Sequence, residues 1–276
     1  MDTYQFDFWF LVLVLVIGLA GGFLAGLLGV GGGLVFVPVF QEIVRNHLIE
    51  TDKVSYVLAN SLFVVFVVGI SGSYKQYKLK NTHIPSALYT GLSAIFSSLT
   101  LSFILKYYDL NNQKVFNYIF SGILILTAWR MWAGRNSKES QSEVLNLPKL
   151  SKFIPAGLFS GFITALTGLG GGVIMIPYFT RIMKLPVKFS TGLSLTVIPI
   201  IAFPLLLFYI FNGPQQEMYP GWQTGHILWP AILPMIIAAG IASPLGVKVA
   251  NMIKPKTLLT VFLIFITINI IKILLF

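Results

Sequence analysis

The chain has 276 residues, 56% of them hydrophobic and 10% charged, with a net charge of +10, no cysteine and a mean hydropathy of +0.83. A soluble domain carries about 25% charged residues, so this balance excludes one and defines an integral membrane protein. The missing cysteine excludes disulfides, thiolate metal sites and cysteine catalysis; the basic residues lie in short segments between apolar runs, which reads as membrane topology rather than a nucleic-acid surface.

The first apolar run, about 8–28, reads as a spanning helix. Asp2 and Asp7 precede it without Lys or Arg, unlike a cleavable signal peptide, so the run is expected in the mature protein. Gly18, Gly22 and Gly26 recur at four-residue spacing and form a small-residue face for close helix packing. The run ends in Gly29-Val30-Gly31-Gly32-Gly33, which leads into Leu34-Val35-Phe36-Val37-Pro38. Each interior glycine costs about 1 kcal/mol relative to alanine, so the helix breaks here. The apolar piece that follows, about 34–44, is shorter than the roughly 20 residues a bilayer core demands. The two pieces read as a hairpin that returns the chain to the side it entered.

A mixed loop at 45–53 leads to a helix at about 54–72, and then to a basic turn with Lys75, Lys78 and Lys80. A helix at about 84–105, a turn with Asp109 and Lys114, and a helix at about 115–132 complete the first half. The polar stretch 130–152 is the midpoint boundary. It separates a first transmembrane repeat, residues 1–134, from a second, residues 153–276, through a cytoplasmic linker, residues 135–152.

The second half repeats the order of the first. Gly18, Gly22, Gly29, Gly31, Gly32, Gly33 and Pro38 recur 139 positions later as Gly157, Gly161, Gly168, Gly170, Gly171, Gly172 and Pro177. Asn60-Ser61-Leu62 matches Leu193-Ser194-Leu195, and Asn81-Thr82-His83-Ile84 matches Thr224-Gly225-His226-Ile227. A constant order at near-constant offset indicates an internal duplication.

The charges give the halves a direction. Lys75, Lys78 and Lys80 share one turn; Arg130, Arg135, Lys138, Lys149 and Lys152 fall in the linker. Arg181, Lys184 and Lys188 follow the second hairpin, and Lys248, Lys254 and Lys256 precede the last helix. If both hairpins return to their side of entry, all these face the cytoplasm. Only Arg45, Lys53, Lys106, Lys114 and Lys272 remain elsewhere. The expected architecture is all-α and polytopic, with two inverted-topology repeats of about five helical segments each. Both termini then lie outside.

The two glycine breaks, each with its following proline, resemble the sulfite exporter TauE/SafE family, also called the toluene-sulfonate uptake permeases. The resemblance runs from about Leu15 to the C-terminus. Ala59-Asn60-Ser61-Leu62 is similar to the family's Thr-Ser-Leu pattern, with Asn60 in place of Thr, and Thr191-Gly192-Leu193-Ser194-Leu195 is similar in the second half. The resemblance implies a bacterial-type transporter, in the cell inner membrane, of small sulfur-containing or carboxylated anions such as sulfite, sulfoacetate or other organosulfonates.

A helix start exposes unpaired N–H groups and the positive end of the dipole, and glycine lets an anion approach that backbone. The expected substrate donors are therefore the backbones of Gly31, Gly32, Gly33, Gly170, Gly171 and Gly172. Asn60, Ser61, Thr191 and Ser194, polar residues in apolar helices, are expected to add side-chain donors. His83 and His226 stand at matching positions as candidate gating or interfacial residues. No Asp or Glu lies deep in an apolar run, so the usual intramembrane proton or sodium relay is missing from the sequence. The reading includes no metal, no cofactor and no enzymatic activity; the partners are a small anion and the bilayer, and a homo-oligomer is left open. Two alternatives stand beside it. One is a passive anion channel. The other is an intramembrane serine hydrolase, suggested by Gly91-Leu92-Ser93 and Gly192-Leu193-Ser194, neither of which completes a nucleophile elbow.

Overall fold

A bilayer gives backbone polar groups no solvent partner, so a spanning chain of this composition must satisfy them within helices. The computed structural model describes residues 8–45, 53–108, 113–133, 147–214 and 221–253, with isolated helical positions between 257 and 267. Within them α1 (Phe8–Leu28) breaks before α2 (Gly33–Arg45), and α3 (Lys53–Lys78), α4 (Ile84–Tyr107) and α5 (Gln113–Ala133) follow. A short 3-10 turn leads into α6 (Phe153–Thr167), which breaks before α7 (Gly172–Pro177); a π-helical turn, Tyr178–Ile182, extends α7. Then come α8 (Val187–Phe211), a hairpin of β1 (Gln223–Thr224) and β2 (Ile227–Leu228), and α9 (Trp229–Met252).

Six described segments are long and apolar enough to cross a membrane: Phe8–Leu28, Lys53–Lys78, Ile84–Tyr107, Leu150–Thr167, Val187–Phe211 and Trp229–Met252. The chain is an all-α polytopic membrane protein, and the described residues add one small β hairpin that the sequence did not announce. α3 also runs past its expected end, so Lys75 and Lys78 sit on its last turns, where cations complement the helix dipole. Lys248 likewise belongs to α9 rather than to a loop before the last helix. Most of the linker and most of the last segment, with Lys254, Lys256 and Lys272, lie outside the described residues.

The packing crosses the midpoint. α1 lies along α9, α6 along α4, and α3 against α8. The small-residue faces make these contacts. Gly18 and Gly22 press on Met235 and Ala239, while Gly157 and Gly161 press on Thr90 and Ala94. Each glycine pair is 139 residues from its counterpart, and each partner pair is 145 residues from its own. α3 and α8 are the most buried of the spans, so the core sits where they cross.

Candidate functional site

The breaks are built alike. Gly29 N–H still donates to Ala25 O at 2.9 Å and ends α1; Gly168 N–H donates to Thr164 O at 2.8 Å and ends α6. Gly29, Gly31 and Gly32 have φ of 73°, 81° and 86°, and Gly168, Gly170 and Gly171 have 67°, 76° and 75°. L side chains rarely adopt this left-handed region, which is why the two motifs need glycine at these places. Gly32 O then accepts from Val35 and Phe36 N–H, and Gly171 O from Ile174 and Met175 N–H, so α2 and α7 start in the same register. The N–H groups of the first turn have no acceptor inside their own helix.

The breaks cross each other. A methyl on Gly33 would meet Leu169 Cα at 2.5 Å and Gly168 O at 2.8 Å. One on Gly172 would meet Val30 Cα at 2.6 Å and Ser194 Oγ at 3.0 Å. Gly31 and Gly170 both face Val65 of α3 and Ile198 of α8. Motif spacing did not single out these two apolar residues; the signal was there in their 133-residue separation, which equals that of Ser61 and Ser194. Leu58 packs on Gly168 as Thr191 packs on Gly29, at that separation again.

The polar side chains divide by what they bond. Ser61 Oγ donates to Gly168 O at 3.3 Å, and Thr191 Oγ1 donates to Lys188 O at 2.9 Å. Asn60 is fully buried and donates to Tyr56 O at 2.7 Å and His226 O at 2.8 Å, while its Oδ1 accepts from Leu228 N–H at 2.8 Å. Its amide is thus engaged by the β hairpin. Ser194 Oγ, also fully buried, has no hydrogen-bond partner among the described residues. Ser194 is the polar side chain left available beside the crossing.

The two candidate histidines, His83 and His226, are not equivalent. His83 precedes α4 as its N-cap, with Nδ1 2.9 Å from Ser86 Oγ. His226, unlike His83, starts no helix; it lies in the turn of the hairpin, buried edge-on between Tyr56 and Tyr209, with Nδ1 3.1 Å from Tyr209 O. The short strands displace the helix start because α9 begins only at Trp229. Among the described residues no cluster of His, Asp and Glu forms a metal site.

Apolar spanning helices around two crossed glycine breaks define a polytopic membrane protein. Residues 14–273 match the sulfite exporter TauE/SafE family, and the chain belongs to that family. It is 30% identical over 257 residues to a probable membrane transporter protein of Methanocaldococcus jannaschii, covering 92% of both chains. It is 26% identical over 266 residues to one of Haemophilus influenzae, covering 95% of this chain and 98% of the relative. A third relative, the probable membrane transporter protein YunE of Bacillus subtilis, is 22% identical over 264 residues, with 91% and 92% covered. No solved structure matches the chain.

Proposed function

We propose that the protein exports small sulfur-containing anions, such as sulfite, sulfoacetate or other organosulfonates, across the cell inner membrane. The anion binds where the glycine breaks cross. The observation that carries this reading is the crossing itself, with the unbonded Ser194 hydroxyl beside Gly172. Two helix starts there present N–H groups and positive dipole ends, suited to an oxyanion. The backbones of Gly31, Gly32 and Gly33 with Gly170, Gly171 and Gly172 are the donors, and Ser194 adds a hydroxyl. Ser61, Thr191 and Asn60 hold the surrounding frame. Val65 and Ile198, packed on Gly31 and Gly170, form the apolar side of the site. The family's description as sulfite exporters supports the substrate class.

Two inverted repeats rocking against each other would expose this site alternately. The exchanged packing of α1 with α9 and α6 with α4, at fixed residue offsets, supports that arrangement. Lys75, Lys78, Lys152, Lys188 and Lys248 all belong to helix ends of one topological side, which positive-inside logic assigns to the cytoplasm. Among the described residues Glu42 is the only carboxylate, and it lies near the end of α2. An inside-negative potential drives an anion outward by about 2.3 kcal/mol per charge per 100 mV. The reading is therefore export by uniport, with Na⁺ held by hydroxyls and carbonyls as the coupled alternative.

The test is thermal stabilisation of purified protein across sulfite, sulfoacetate, taurine, sulfate, thiosulfate and small carboxylates, since ligand binding raises stability as RT ln(1 + [L]/Kd). A sulfur anion is expected to raise Tm selectively, and Ser194→Ala to reduce that shift. Saturable counterflow in proteoliposomes supports a carrier; unsaturable flux gives the passive channel instead. A well-folded protein that responds to no anion overturns the reading.

A further inference from the structure

The crossed pair α3 and α8 has a polar closure at each end, and the two closures differ. Along α3, Tyr56 and Asn60 meet the hairpin, Ser61 and Val65 meet the breaks, and the residues after Lys78 meet α8 and α9. α8 runs the other way: Gly192 meets Asn81, Ser194 and Ile198 meet the breaks, and Tyr209 meets the hairpin. The hairpin 223–228 is therefore a strap over one end, and the turn 81–83 closes the other, basic end.

The strap is fastened from inside. Asn60 Nδ2 donates to His226 O at 2.8 Å, and Leu228 N–H donates to Asn60 Oδ1 at 2.8 Å. Gln223 Nε2 donates to Tyr56 Oη at 3.0 Å. At the basic end, Asn81 Nδ2 donates to Asn251 Oδ1 at 2.8 Å and Thr82 Oγ1 lies 2.9 Å from Thr196 Oγ1, both contacts only partly buried. The residue of α8 that corresponds to Asn60, at the 133-residue separation of Ser61 and Ser194, is Leu193. Leucine side chains form no hydrogen bond, and at the basic end Asn81 instead bonds Gln76 and Asn251 in partly buried contacts, so among the described residues a fully buried side chain that clamps strap backbone is found at one end.

We infer that Asn60 is a one-sided latch: it holds the 223–228 strap shut and biases the transporter toward opening at its basic end. This rests on the alternating-access reading. Cutting the latch leaves buried backbone groups without their partners and favours lifting of the strap.

The chain lacks cysteine, so a single reporter needs no prior background. Ser61→Cys places a thiol one residue deeper than the latch. Trp222→Cys, exposed beside the strap, establishes which membrane face the strap occupies. A charged, membrane-impermeant methanethiosulfonate is applied to intact cells and to inside-out vesicles. With Asn60→Leu, labelling of Ser61→Cys from the strap face is expected to rise about ten-fold, as the loss of a buried hydrogen-bonded clamp implies. Labelling from the basic face is expected to stay level or fall. No rise, or an equal rise from both faces, overturns the latch. If Asn60→Leu does not fold, Asn60→Ser, which is too short to bridge both strap groups, decides by the same criterion, with a rise of a few-fold expected. Failure of alternating access itself would show separately, as unsaturable flux through the wild-type protein.

Discussion

Replacing Gly33 by alanine tests whether the breaks cross as tightly as described. The added methyl would lie 2.5 Å from Leu169 Cα, where ordinary contact begins at 3.4 Å, so the two backbones must part by about 0.9 Å. No rotamer change relieves this, because the two nearest groups, Leu169 Cα and Gly168 O, are both main chain. Overpacking a tight interior costs about 1–3 kcal/mol. At this position the upper half of that range applies, offset by less than the ~1 kcal/mol that alanine gains over glycine within a helix. The expected net cost is about 2 kcal/mol, or a Tm roughly 4–8 °C lower for a chain of this size. Gly172→Ala pushes on the same crossing from the other side, at Val30. Once one substitution has parted the breaks, the second has less to displace, so the double variant should lose less than the sum, by about 1 kcal/mol. Scanning fluorimetry in detergent measures all three. Gly122→Ala is the control, since nothing lies within 4 Å of its added methyl and it sits inside α5. A Gly33→Ala protein with the Tm of the wild type, or a strictly additive double variant, would refute the crossing.

Ser61→Ala and Ser194→Ala should separate frame from ligand. The first loses a hydrogen bond to Gly168 O and about 1 kcal/mol of stability, whereas the second, which loses no bond among the described residues, should keep its Tm and show a smaller anion-induced shift. Gly29→Ala combines a φ of 73° with a methyl 2.9 Å from Thr191 Cα, and should cost at least the ~1–2 kcal/mol of left-handed strain, read as a lowered Tm. Ser243→Ala removes a buried bond to Val68 O across α9 and α3 and should lower stability by about 0.5–1.5 kcal/mol in the same assay. His83→Ala removes the cap of α4 and should cost about 0.5–1 kcal/mol, while His83→Asn restores most of it.

The sequence by itself determined the solvent and the breaks, and tied the two breaks together by one offset. Composition alone requires a membrane chain, because so few charges cannot coat a soluble surface. The run at 29–33 had to interrupt a helix, and the structure ends α1 at Leu28 and starts α2 at Gly33. Equal offsets between glycines announced that the second break would be built like the first, and all six φ values fall in the same left-handed region. These features are local: propensity, period and spacing act within a few turns of chain.

Only the tertiary structure decided who meets whom. Gly18 and Gly22 advertised a close neighbour, but any small-residue face would have served; the contact with α9 depends on how the halves interlock. Asn60 and Ser194 read alike as polar residues in apolar helices. One commits its amide to a strap more than 160 residues away, and the other, beside the crossing, has no hydrogen-bond partner among the described residues. Sequence records that a buried polar group needs a partner, but the identity of that partner is set by packing between distant segments. His83 and His226 separate for the same reason. One caps the helix that follows it, and the other is carried inward by a two-residue-strand hairpin, whose backbone is held by groups on α3 and α8.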